Sequence, residues 1–192
     1  LVLLSAIALT GCKSAIAPLG GNSVATKSAD IYSGEKLIGG EPVSFADTDI
    51  TLIKGKKSVY KVIIGSDATV TEKYASEELV YFLERSTGCK LEIATDENPD
   101  ENGSYISVGD TKLLKAAGIV PDYAELGDNG VSVYTVGKNV YIAGAAEYGT
   151  LFSVYRFLYY QIGYRAYAYD HIEYDYFDEL KLKNFDYKYR PA

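Results

Sequence analysis

Any chemistry in this chain has to come from very few side chains. His171 is the single histidine among 192 residues, so a histidine pair or a three-histidine zinc site is excluded. It lies in Asp170-His171-Ile172-Glu173-Tyr174-Asp175, and on an extended strand His171, Glu173 and Asp175 share one face. Each two-residue step is about 6.6 Å, which sets the outer pair about 13 Å apart. Zinc donors stand about 2.0–2.2 Å from the ion, so a straight strand cannot bring all three to one metal. Only a curled loop could, and no metal site is expected. Glycoside cleavage pairs carboxylates about 5–5.5 Å or 6.5–9.5 Å apart. Among 26 acids such pairs arise on any surface, so Glu173 with Asp175 carries no signal. A Ser-His-Asp triad would need His171, and no Gly-x-Ser-x-Gly elbow is present. The sequence therefore offers no catalytic residue and no cofactor.

Two further segments imitate ligand loops. Gly144-Ala-Ala-Glu-Tyr-Gly149-Thr150-Leu151 has the glycine spacing of a phosphate loop. Thr150 and Leu151 stand where a lysine and a magnesium-binding hydroxyl are required, so a tight strand-to-helix turn is expected instead. The acidic run Asp96 to Asn102 matches a calcium loop in composition only. It lacks ordered oxygen spacing and a closing bidentate glutamate, and is expected to form a solvated turn. Cys89 follows Gly88 at a helix-to-strand junction and is expected to be a small buried residue, not a nucleophile.

Tyrosine is the unusual feature. There are 19, no tryptophan, and ten tyrosines fall from Tyr155 onward. A tyrosine buries a large ring while keeping a hydroxyl for water or a partner. A cluster of them suits packing against a neighbouring domain and also suits stacking on sugar rings. Tyr164, Arg165, Tyr167 and Tyr169 are the candidates for carbohydrate binding or interdomain contact.

The start of the chain carries a different signal. Leu1 to Gly11 are apolar or small and uncharged, too short to span a bilayer, which takes about 20 residues. They fit the apolar core and cleavage site of a secretory signal. With no methionine anywhere and Leu1 in first place, the true start is expected to lie upstream. Leu9-Thr10-Gly11-Cys12 resembles the bacterial lipoprotein box, in which the cysteine thiol receives diacylglycerol and becomes the new N-terminus. Lipid chains contribute about 0.8 kcal/mol per buried CH₂, so two or three anchor stably. Cys12 is the expected lipidation site, and an extracytoplasmic location, lipid-anchored to the bacterial cell membrane, follows. With Cys12 lipidated, Cys89 has no disulfide partner. Residues 12–48 are rich in Ala, Ser, Gly and Thr, as a flexible tether would be. Residues 49–192 form the expected domain. The net charge of −7, from 26 acids against 19 bases, leaves no basic face for nucleic acid.

Within that domain, Ile50 to Ile53 and Val59 to Ile64 are β-rich and flank Lys54-Gly55-Lys56-Lys57, which predicts a strand pair across a turn. Thr71 to Thr87 predicts a helix with Ala75, Leu79, Phe82 and Leu83 on one stripe, Thr69 or Thr71 as cap and Gly88 as terminator. Lys90 to Ala94 and Tyr105 to Val108 predict strands, and Lys112 to Ala117 a short helix. Val131 to Val136 and Asn139 to Ala143 predict a hairpin over Gly137-Lys138. Tyr148 to Ile162 predicts a second long helix, with Leu151, Val154, Tyr155, Leu158 and Ile162 on one face and Gly163 ending it. Two amphipathic helices on one face of one sheet make an α+β two-layer sandwich.

Two of these segments carry a family resemblance. Tyr74 to Gly88 (YASEELVYFLERSTG) resembles the A-x-E-L-x-x-Y-L-x-x-x-T-G helix of an accessory domain. Gly149 to Leu158 (GTLFSVYRFL), closing at Gly163-Tyr164-Arg165, resembles its G-T-L-Y-G-V-Y-x-F-L-E-x-x-G-x-R helix. That domain precedes the catalytic barrel in α-glucuronidase-like and β-hexosaminidase-like glycoside hydrolases and in related bacterial lipoproteins. The likeness runs from about Ser58 to Ala168. Tyr159 stands where the family often has Glu, and Ser153 where it often has Gly. The resemblance implies a mixed sheet with two helices on one face, and a non-catalytic piece of a polysaccharide-processing protein whose catalytic barrel lies beyond Ala192. Since a barrel takes about 250 residues, this chain alone would have no activity while its parent would be a glycoside hydrolase. The alternatives are a stand-alone carbohydrate-binding lipoprotein that uses a tyrosine-rich face, and a structural surface module that binds another protein.

Overall fold

The computed structural model describes residues 45–100, 102–146 and 148–190. The leader over 1–11, the lipidation candidate Cys12 and the tether up to residue 44 lie outside the described residues. The elements run β1 (Asp47–Lys54), β2 (Tyr60–Ile64), α1 (Val70–Thr87), β3 (Glu92–Thr95), β4 (Ser104–Val108), α2 (Lys112–Ala116) and α3 (Tyr123–Leu126). They continue β5 (Val131–Val136), β6 (Asn139–Gly144), α4 (Gly149–Ile162), β7 (Arg165–Ala168), β8 (His171–Glu173), β9 (Glu179–Lys183) and β10 (Asp186–Tyr189).

Among the described residues, six strands form one mixed sheet in the order β10-β5-β6-β4-β2-β3. β3, β2, β4 and β6 run parallel, and β5 lies antiparallel between β6 and β10. Alternation along each strand sends Val62, Ile64, Ile106, Val108, Val140 and Ile142 to one face, where α1 and α4 cover them. The opposite face holds a smaller cluster, with Tyr141 and Ala143 packed under Leu114 of α2. This is the expected α+β two-layer arrangement.

Local chemistry fixes both long helices. Thr69 Oγ1 accepts from the Glu72 amide (3.2 Å) while the Glu72 carboxylate accepts from the Thr69 amide (2.8 Å). These reciprocal bonds satisfy two donors that the first turn leaves open. Gly88, at φ 71°, closes α1 in the left-handed conformation that only glycine adopts cheaply. Ala75, Leu79, Phe82 and Leu83 are all buried. In α4 the face on the sheet is Val154, Phe157, Leu158 and Ile162, each 0% exposed. Leu151 and Tyr155 sit half-buried at its margin.

One pairing differs from expectation. β1 and β2 do not form a hairpin. The turn exists, with Lys54 and Lys57 exchanging backbone hydrogen bonds, but the strands then separate into different sheets. β2 carries Val62-Ile63-Ile64, buried on both faces, and such a strand belongs in the interior of a parallel sheet. β1 alternates with charge and pairs antiparallel with β9, which sets Asp47 opposite Lys183 and Lys54 opposite Glu179. Ion pairs of 2.8 Å and 2.7 Å join those two couples. The strands after α4 are likewise absent from the sequence reading.

Candidate functional site

The four candidate residues lie where α4 ends and the β7–β8 hairpin begins. Gly163, at φ 69°, turns the chain. Tyr164 then folds back so that its ring stacks on Tyr155 (5.5 Å between centroids, 13° between planes) and meets Phe82 edge-on at 4.7 Å. The Tyr155 hydroxyl donates to Glu78 Oε2 at 2.8 Å. Burial, and next the hydrogen bond to Glu78, hold the Tyr155 phenol far above its ordinary range. Burial raises Tyr164 as well, with Glu78 adding to it. Both rings are therefore fixed, neutral walls.

Arg165 serves the helix end directly. Its Nη1 donates to the carbonyl oxygens of Tyr164 (2.8 Å) and Tyr159 (3.2 Å), and its guanidinium lies 3.4 Å over the Tyr159 ring. A cation there satisfies carbonyls that the last turn leaves open and complements the negative end of the helix. Tyr155, Tyr159, Tyr164, Arg165 and Tyr167 line a hollow of about 240 Å³ that is broadly open to solvent. Tyr169 does not join them. It stands at the hairpin tip, 102% exposed. Three of the four candidates thus converge and the fourth is apart.

The remaining late tyrosines do other work. Tyr160 and Tyr187 pack with Phe45 and Phe185 beneath β9 and β10, with ring centroids 4.8 to 5.9 Å apart. The Tyr174 hydroxyl accepts from Arg85 Nε at 3.1 Å. The ten residues are therefore divided between core, hollow and solvent and do not form one face.

The other sequence candidates resolve as follows. His171 Nε2 sits 3.2 Å from Glu173 Oε1, both exposed. Asp175 lies past that strand, β8, its amide donating to Ile162 O and its carbonyl accepting from Ser86 Oγ. Among the described residues no three His, Cys, Asp or Glu side chains converge on a metal position. In the acidic run, Asp100 Oδ1 accepts from the Asn102 amide at 3.0 Å, a local turn. Asp96 departs from the expected solvated turn. It is buried, and its two oxygens accept from the Ser66 amide (3.0 Å) and the Lys112 amide (2.7 Å). It ties together the loops that leave β2, β3 and β4. Cys89 is buried, and desolvation raises its thiol.

Gly144 and Gly149 make the strand-to-helix turn. A Cβ on Gly144 would fall 1.9 Å from the Gly149 carbonyl carbon, so the backbones touch where any side chain would intrude. Beside that turn lies a second hollow, of about 410 Å³. The sequence reading missed it because its lining comes from separate loops.

The family model described as the glycosyl hydrolase family 67 N-terminus matches residues 48–157, more than half of the chain. No curated protein matches it. Among solved structures it is similar to BtGH115A, a family GH115 4-O-methyl-α-glucuronidase with specificity for decorated arabinogalactans. That likeness has a TM-score of 0.42 and 18% identity, and covers 56% of this chain and 14% of the other. It is also similar to CpGH84D, at a TM-score of 0.42 and 9% identity, covering 74% of this chain and 22% of that one. The chain spans less than a quarter of the length of either.

Proposed function

This chain belongs to the family of glycosyl hydrolase family 67 N-terminal domains, and from that premise we propose that it is the non-catalytic accessory domain of a bacterial surface lipoprotein that processes polysaccharide. The observation that carries the reading is the match over residues 48–157, which takes in β1 through the middle of α4. A glycoside hydrolase barrel in the same polypeptide would supply the catalytic carboxylates. The surface proposed to meet it is the hollow at the end of α4. Its aromatic walls are fixed by packing, so little side-chain freedom is lost on docking. Cys12 would carry the lipid that holds the assembly to the outer side of the membrane.

The test is to follow the reading frame past Ala192 and assay the product. A sequence of about 250 residues compatible with a (β/α)₈ barrel is expected, with glycosidase activity in the long polypeptide and none in the 192-residue chain. A stop codon at once after Ala192 would sink the reading. Metabolic labelling with a fatty acid checks the anchor, since Cys12→Ser is expected to abolish incorporation.

A second reading is favoured by the openness of the hollow and by Tyr167, which is 53% exposed. Here the chain itself binds a glycan. Oligosaccharide binding that disappears in Tyr167→Ala supports it, and a flat glycan array rejects it.

A further inference from the structure

At the other end of α4, about 14 Å along the axis from Tyr159 to Thr150 by helix geometry, the 410 Å³ hollow lies outside the carboxyl ends of the parallel strands. The chain leaving β2 returns as β3 on one side, while the chain leaving β4 continues toward β5 and β6 on the other. A reversal of this kind opens a crevice at the strand ends, and the volume is in the range that takes small molecules. Segments distant in sequence line it: Thr69 to Glu72 at the start of α1, Asp110 after β4, Tyr123 of α3, and Thr150 in the first turn of α4.

Thr150 is the informative residue. It is only 5% exposed, and its hydroxyl makes no hydrogen bond among the described residues. The residue lines the hollow. Three residues on, Ser153 shows what a buried hydroxyl on this helix otherwise does. Its Oγ donates toward Ala143 O and Gly149 O, each at 2.7 Å, and accepts from the Ser132 amide at 3.1 Å. Buried hydroxyls find partners, and with none for Thr150 Oγ1 among the described residues it is left to water or a ligand in the hollow.

The lining selects the class of ligand. Glu72 is fully engaged, Oε1 accepting from the Asp110 amide (3.0 Å) and Oε2 from Thr69. Asp110 Oδ2 holds Lys115 at 3.0 Å, while Oδ1 has no partner among the described residues. Two carboxylates at the rim repel an anion. The first turns of α1 and α4, both facing the hollow, repel a cation. Burial, then Asp110 and Glu72, push the Tyr123 phenol up, so it remains a neutral donor beside an aromatic face. A molecule that both donates and accepts, and has a C–H face to lay on a ring, meets all of this. The geometry points to a binding site for one neutral sugar residue, held by Asp110, Thr150 and Tyr123. It goes beyond the accessory-domain reading and does not depend on it.

The test is a titration of the ¹⁵N-labelled 192-residue chain with glucose, galactose, xylose and, separately, inorganic phosphate. The titration runs to roughly 100 mM, a hundredfold above a millimolar Kd. Saturable shifts at the Thr71, Asp110 and Thr150 amides with at least one sugar, and none with phosphate, are expected. Thr150→Val and Tyr123→Phe keep shape and are expected to weaken binding about fivefold each, the worth of one hydrogen bond, with an unchanged melting temperature. The proposal is overturned if no sugar gives saturable shifts there, if shifts are confined to Tyr159 through Tyr167, if phosphate binds instead, or if both variants bind as the parent does.

Discussion

The two sides of α4 obey different rules. Toward the sheet, Val154, Phe157, Leu158 and Ile162 are sealed from water, and the polar residues buried with them on this helix are Thr150, Ser153 and Gln161. Away from it, Tyr155, Tyr159 and Arg165 build walls around an open hollow, with the Tyr155 hydroxyl held by a carboxylate and the Arg165 guanidinium by carbonyls. The difference shows what tyrosine is used for here. Where the hydroxyl can be satisfied beside the core, as at Tyr155, the ring is half-buried against it. Where it cannot, as at Tyr169, the residue is left in solvent. Richness in one amino acid therefore does not define a surface.

The comparison can be broken most forcefully at Phe157. Truncation to Ala would leave a cavity between α4 and the sheet and is expected to cost about 3–5 kcal/mol in denaturant unfolding. A loss below 1 kcal/mol would mean that the core is far looser than its burial implies. Ser153→Ala comes next, at about 1–3 kcal/mol, because the buried Ser132 amide would lose its acceptor. Thr69→Ala removes the cap of α1 and is expected to cost about 1 kcal/mol, seen as a lower melting temperature with unchanged far-ultraviolet dichroism.

On the solvent side the effects shrink. Glu179 accepts from Lys54 and Lys181, and these hydrogen bonds lower its carboxyl to about 2 from 4.5. A depressed acid contributes stability that is complete above its unfolded pKa and fades as pH falls toward its folded one. The melting-temperature gap between the parent and Glu179→Gln is therefore expected to narrow from pH 4.5 down to about 2. A gap that widens on acidification would contradict the assignment. Smallest of all, Tyr169→Ala should change stability by less than about 0.5 kcal/mol. If it instead costs as much as Ser153→Ala, the division between the two sides fails.

Much of this architecture was legible. The stripe of Ala75, Leu79, Phe82 and Leu83, a threonine cap at Thr69 or Thr71, the terminators Gly88 and Gly163 and the hairpin over Gly137-Lys138 are all local signals, and local signals survive folding. The β1–β2 pairing was misread because a turn at Lys54 to Lys57 says nothing about where its strands go next. That choice was made by Lys183 and Glu179, more than 120 residues away. Composition alone makes Asp96 a solvated residue, because it cannot reveal that two amides from different loops meet its carboxylate. Arg165 was legible as a candidate but not as the group that closes α4. The hollow around Thr150 was not legible, since it exists only once separate loops meet.

The β1–β9 pairing also sets a timetable. Its bonds join residues such as Lys181 and Thr51, 130 apart in sequence. A ribosome adding about 5–20 residues per second makes the second of them roughly 7–26 s after the first. Through that interval β1 is an unpartnered strand bearing Leu52 and Ile53, while the parallel strands behind it can already assemble. β1 is thus expected to be the last long strand of the fold to gain its partner during synthesis, and the segment most exposed to capture by a chaperone.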